Sequence, residues 1–194
     1  MREDGEVAYS MTGLDEADKV LNDYPFAVIL GMQLDQQYWM EHAFRGGHKL
    51  LGRLGHLDTA KIAAMDPEEF KAIASQTPAI HRFPASMAAK AQALAQIIET
   101  TYDGDVTRLW NEAATGKELL KRLQALPGFG AQKARIFVAL LAKQAGVRPD
   151  GWEAVAGDYA LDGYRSVADV VDADSLAKVR EHKQEMKAAA KAAK

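Results

Sequence analysis

Leu119-Leu120-Lys121-Arg122-Leu123-Gln124-Ala125-Leu126-Pro127-Gly128-Phe129-Gly130-Ala131-Gln132-Lys133-Ala134 holds two helical patterns on either side of a Pro-Gly break. The first helix must stop at Pro127-Gly128, and a second can start within five residues. Both glycines are expected to take a positive φ and leave no Cβ over the turn. The second helix then starts with unpaired N–H groups that nothing covers, which is a ready site for an anion. Lys133 and Arg135 add charge beside it. Leu123, Leu126, Phe129, Ile136 and Val138 can hold the two helices together.

The chain around this hairpin has 194 residues, 48% of them apolar. At about 150 residues per domain this is one unit with a core of its own. There is no cysteine, which excludes disulfides, cysteine-ligated zinc, iron–sulfur clusters and a thiol nucleophile. The longest apolar runs, Phe26–Met32 and Ile136–Ala142, fall well short of the ~20 residues of a membrane span. The opening Met1-Arg2-Glu3-Asp4-Gly5-Glu6 is too polar for a signal peptide. A cytoplasmic protein is expected.

Net charge is −3 but uneven. Residues 1–24 carry two basic and seven acidic side chains, residues 117–148 seven and one, and residues 176–194 six and two. The two basic segments are either ordinary solvated helix faces or the footprint of a polyanion.

The rest of the chain reads as helices joined by short turns. Thr12-Gly13-Leu14-Asp15 resembles a capping box that opens a helix ending near Asn22. Pro25 opens a second, predicted to run to Phe44 and stop at Gly46-Gly47, with a short helix over His48–Leu54. Asp58 and Asp66-Pro67 cap the next two, through Ala64 and Ser75. A long amphipathic helix spans Ser86–Tyr102. Val106–Ala113, Lys117–Ala125, Ala131–Ala145 and Asp174–Ala193 complete the set. Beta-like alternation is confined to Glu6–Tyr9 and Ser166–Ala168, and residues 147–168 read as irregular. An all-α fold follows.

The hairpin resembles the helix–hairpin–helix of the HhH-GPD superfamily of base-excision DNA glycosylases. The shared frame is Leu126-Pro127-Gly128-Phe129-Gly130 followed by Ala134. Upstream, Asp66 to Tyr102 and Phe26–Asp35 look like the corresponding segments of endonuclease III-like enzymes. The resemblance covers about residues 25–155. It leaves an acidic segment (1–24) and an irregular segment with a basic helix (156–194) unmatched. It implies a single two-lobed helical unit, a monomer, that grips double-stranded DNA, is nucleoid-associated if bacterial, and needs no membrane.

The resemblance also implies a mechanism. Such enzymes flip a damaged or mismatched base and cut its N-glycosidic bond. A carboxylate stabilises the oxocarbenium-like sugar. Family members place it eighteen residues beyond a diagnostic hairpin position, which here is Gln132, so the count falls on Asp150. The local Arg148-Pro149-Asp150-Gly151-Trp152 departs from the family context and is also a common turn. Asp158 and Asp35 are the other candidates. Bifunctional members carry at the diagnostic position a lysine that forms a Schiff base. Gln132 cannot, so a monofunctional enzyme is expected. Lys133 points about 100° away around the helix and is expected to meet a phosphate.

Gln33 falls where these enzymes fill the gap left by the flipped base, with Met32 or Leu34 as alternative wedges. Tyr38 and Trp39 are either base-stacking or core residues, and His81-Arg82-Phe83 is a candidate pocket rim. Gly128, Phe129, Gly130, Gln132 and Lys133 complete the expected DNA contacts, with the basic C-terminal helix as an additional phosphate contact or a plain solvated helix. The hairpin carbonyls of Gln124, Leu126 and Phe129 would hold a monovalent cation in such a family. No other cofactor is expected. The alternative function is a non-catalytic DNA-binding protein that keeps the hairpin.

Overall fold

The computed structural model describes residues 9–192. They are mainly helical, with no strand among the described residues, as the pattern along the chain predicts. The helices are α1 (Asp15–Asp23), α2 (Pro25–Leu34), α3 (Met40–Phe44), α4 (Gly46–Leu54), α5 (Thr59–Ala64), α6 (Pro67–Ser75), α7 (Pro84–Tyr102), α8 (Thr107–Asn111), α9 (Gly116–Gln124), α10 (Ala131–Gln144), α11 (Trp152–Ala156) and α12 (Ala173–Ala192). None is long and apolar enough to cross a membrane, among the described residues.

Several starts form as their side chains dictate. Asp58 accepts the N–H groups of Ala60 and Lys61, and Asp66 those of Glu68 and Glu69. Pro25, Pro67 and Pro84 each open a helix, where the missing N–H costs nothing. The box expected at Thr12 does not form. Asp18 reaches back to the N–H groups of Met11 and Thr12 instead, so the fourth residue of α1 caps the chain ahead of it.

The helix expected from Pro25 to Phe44 is broken. α2 ends at Leu34, and Gln37 takes a left-handed φ of 52°. Gly46 and Gly47 do not end a helix but open α4. Their missing Cβ atoms let α4 lie against α2: a Cβ on Gly46 would overlap the Leu34 side chain, and one on Gly47 would sit 2.7 Å from the Ala27 Cβ. Gly31 is flush against the Phe44 ring for the same reason. α2 is buried along its whole length except at Pro25, which makes it the central rod of this half.

α5 and α6 pack on α7, and α9 and α11 pack on α10. The segment 147–170 is not loose. Gln144 donates to the carbonyls of Val167, Ala168 and Val170, and Lys143 pairs with Asp169 at 2.6 Å. Ser166–Ala168, expected as possible strand, instead caps a 3-10 turn over Val167–Asp169. The other alternating stretch, Glu6–Tyr9, lies outside the described residues except for Tyr9, which is buried. Buried apolar side chains from α1 to α12 join into one cluster.

Candidate functional site

The hairpin forms between α9 and α10. Gly128 takes the expected left-handed φ of 84°. Gly130 does not: its φ is −78°, an extended conformation open to any residue. A Cβ there would meet nothing within 4 Å. The N-terminus of α10 therefore faces open space with no side-chain cap. The Phe129 side chain is core rather than contact surface, packed edge-on against Phe137 at 6.0 Å. The Leu126 carbonyl already accepts the Phe129 N–H at 3.2 Å, which leaves it one lone pair for a cation. Among the described residues no group of three His, Asp or Glu side chains is placed to hold a metal.

Much of the basic charge of 117–148 is spent internally. Arg122 pairs with Glu118 at 2.5 Å and donates to three carbonyls of the α8 region. Arg148 donates to Ala142, and Lys143 is held by Asp169. Lys133 and Arg135 also donate to carbonyls, of Gln33 and Val155, and both border a cavity of about 1200 Å³. Its other walls come from the 35–41 segment, the Asp158-Tyr159 turn and α12.

Lys133 does not present its amine to an outside phosphate. α2 breaks at Leu34, so the Gln33 carbonyl loses its helical partner. The Lys133 ammonium crosses from α10 and donates to it at 2.9 Å, as a cation should at a helix C-terminus. Burial pushes the Lys133 amine down to about 8, and the nearby Asp35 carboxylate opposes that shift. Asp35 ends α2, with a side chain only 14% exposed. A half-buried acid and a half-buried amine thus share one cavity.

Asp150 lies elsewhere. It is exposed and is not part of the cavity wall. Its carbonyl accepts the Gly116 N–H at 2.8 Å, and the backbone pairs with Thr115. This clamp, with Gly151 at φ 71°, holds Asp150 at the start of α9. The acids that do border the cavity are Asp35, Glu41 and Asp158.

Gln33 is also placed differently from expectation. It is fully buried, and its amide donates to the carbonyls of Lys90 and Pro127 at 3.0 and 2.8 Å. It braces α2 against α7 and the hairpin, and cannot enter a duplex from there. Met32 and Leu34 are buried as well. Gln36 and Gln37 at the broken end of α2 are exposed, and Gln37 borders the cavity. The polar Asp35-Gln36-Gln37 after an apolar run marks the place in the sequence, but the break itself contains neither Gly nor Pro. Gln132 borders the cavity and donates to the Tyr159 hydroxyl at 2.9 Å. Trp39 is exposed at the rim, while Tyr38 packs against His81 with ring centroids 4.7 Å apart.

His81 is buried between the 35–39 segment and the start of α7. Its Nε2 bonds the Gln36 carbonyl and its Nδ1 accepts the Phe83 N–H, both at 2.9 Å. That pair of bonds fits the neutral Nε2–H tautomer. Burial holds its pKa below the ordinary histidine value, with the Gln36 carbonyl opposing. The unfolded chain therefore binds the proton first as pH falls below about 6.5. The His81 contribution to stability should be constant above that pH and decline below it. Chemical denaturation between pH 7.5 and 5 should show this decline, and His81→Gln should flatten part of it.

Comparisons with protein-family models, with curated proteins and with solved structures found no match.

Proposed function

We propose that the chain is a base-excision DNA glycosylase that receives an extruded base in the cavity between the hairpin and the 35–41 segment. The observation that carries this reading is the juxtaposition of an uncovered helix N-terminus at Gly130 with a cavity holding Asp35 and Lys133. The first suits a DNA phosphate; the second suits chemistry at a sugar. The helices on either side of the cavity, α1–α7 and α8–α12, would be the two lobes.

In this reading Asp35 takes the role that the sequence count assigned to Asp150. Cleavage of the glycosidic bond leaves positive charge on the sugar that is absent beforehand. A carboxylate fixed beside it lowers the barrier without tightening the ground state. Water completes the reaction, because Gln132 carries no amine. Since Asp35 and Asp158 border the cavity, the exposure of Asp150 does not leave the site without an acid. That favours an enzyme over a non-catalytic DNA-binding protein.

A second reading is favoured by one observation: the Lys133 amine, lowered to about 8, faces the cavity. An amine unprotonated in part near neutral pH can attack C1′ of the sugar. Duplexes bearing uracil, mismatched thymine, alkylated purines or oxidised bases should be assayed for abasic sites, with and without alkali. The hydrolytic reading predicts base release that leaves the strand intact until alkali is added. A borohydride-trapped adduct that disappears in Lys133→Met would establish the amine route instead. No base release from any duplex would contradict both.

A further inference from the structure

α12 is attached at one end only. Its buried residues, Ser175, Leu176 and Val179, all lie in the first two turns. Beyond them the helix is held to the body by polar contacts. Arg180 pairs with Glu41 and sits over the Trp39 ring at 5.5 Å. Lys183 reaches Asp35 at 3.9 Å.

The Arg180–Glu41 pair is poorly made for stability. The Glu41 side chain is 8% exposed, and its Oε2 has no partner, nor has the Nε of Arg180. A buried carboxylate with half its capacity unmet is costly to keep. The same face of α12 carries Lys187, so Arg180, Lys183 and Lys187 all line the cavity. Their spacing of three and four residues puts them in one stripe. Three cations of α12 thus share the cavity with three acids, Asp35, Glu41 and Asp158, and Arg180 and Lys183 reach two of them.

The geometry points to α12 as a latch that closes the cavity in the free protein and opens by exchange of counterions. DNA phosphates take Arg180, Lys183 and Lys187, while Glu41 and Asp35 are released. The helix swings about the residues after Val179, and Asp35 is uncovered only when a duplex is present. The inference rests on the DNA reading for its ligand, but the latch itself can be detected without DNA.

Two full-length variants test it, Glu41→Gln and Arg180→Gln. The second keeps the test usable if the first does not fold, because Arg180 is 39% exposed and tolerates a polar replacement. Amide hydrogen exchange in 180–190 should be about tenfold faster in either variant, with α10 unchanged. A 20-base-pair duplex should associate about tenfold faster with Glu41→Gln than with the wild type. Unchanged exchange in α12 overturns the latch. Faster exchange with an unchanged association rate, in a wild type that binds the duplex, overturns the exchange of partners. A wild type that binds no duplex contradicts the DNA reading instead, and the exchange rates still decide whether the latch exists.

Discussion

Asp35→Asn is expected to slow base excision by about 10²–10³, the usual cost of removing one preorganised group from a developing charge. Asp150→Asn is expected to leave the rate unchanged. Asp35 is fixed at the end of α2, where its N–H bonds the Gly31 carbonyl at 3.0 Å. Its side chain is sheltered and borders the cavity, whereas that of Asp150 is in solvent. Asparagine keeps the size and removes the charge. DNA binding should hold or tighten, because a carboxylate near phosphates is repulsive before reaction. Single-turnover excision on one lesion duplex, with binding measured on the same duplex, checks both. Full activity in Asp35→Asn, with loss in Asp150→Asn, would reinstate the eighteen-residue count.

The helices were legible where a side chain acts on its own backbone. Asp58, Asp66, Pro25 and Pro67 each mark a start by chemistry that needs no tertiary partner, whereas α7 opens at Pro84, two residues before the expected Ser86. The break after Leu34 was not legible. Leu34-Asp35-Gln36-Gln37-Tyr38-Trp39 has no Gly or Pro, and a left-handed residue such as Gln37 is uncommon outside glycine. Gly46-Gly47 looked like a stop because glycine is both a helix breaker and the residue that allows two helices to touch. Only the position of Leu34 and Ala27 across the contact decides between those uses.

The candidate site follows from that break. The angle between Gln132 and Lys133 around a helix is known from sequence, but the direction either one faces is not. Lys133 turns inward because the interrupted end of α2 offers it the Gln33 carbonyl. Gln33 itself had the right residue type for reading an orphaned base. Its amide NH2 is consumed by two carbonyls brought from 57 and 94 residues away, which no local pattern reveals. For Asp150, Pro149 and Gly151 did signal a departure, and the pairing with Thr115 supplies the physical reason.

The hairpin assignment is tested most directly by Gly130→Asp. Gly130 already has a conformation that aspartate can adopt, and a Cβ there meets open space. Aspartate is also a favoured N-cap, and replacing glycine restricts the unfolded chain. The variant should therefore melt at the wild-type temperature or slightly above it. Its carboxylate would occupy the N–H groups of α10 and repel a phosphate. Titration of a 20-base-pair duplex at fixed salt, with thermal denaturation of the same samples, should show affinity reduced by about tenfold to a hundredfold, or about 1.4–2.7 kcal/mol, in a protein at least as stable as the wild type. Wild-type affinity in a folded Gly130→Asp protein would contradict the account.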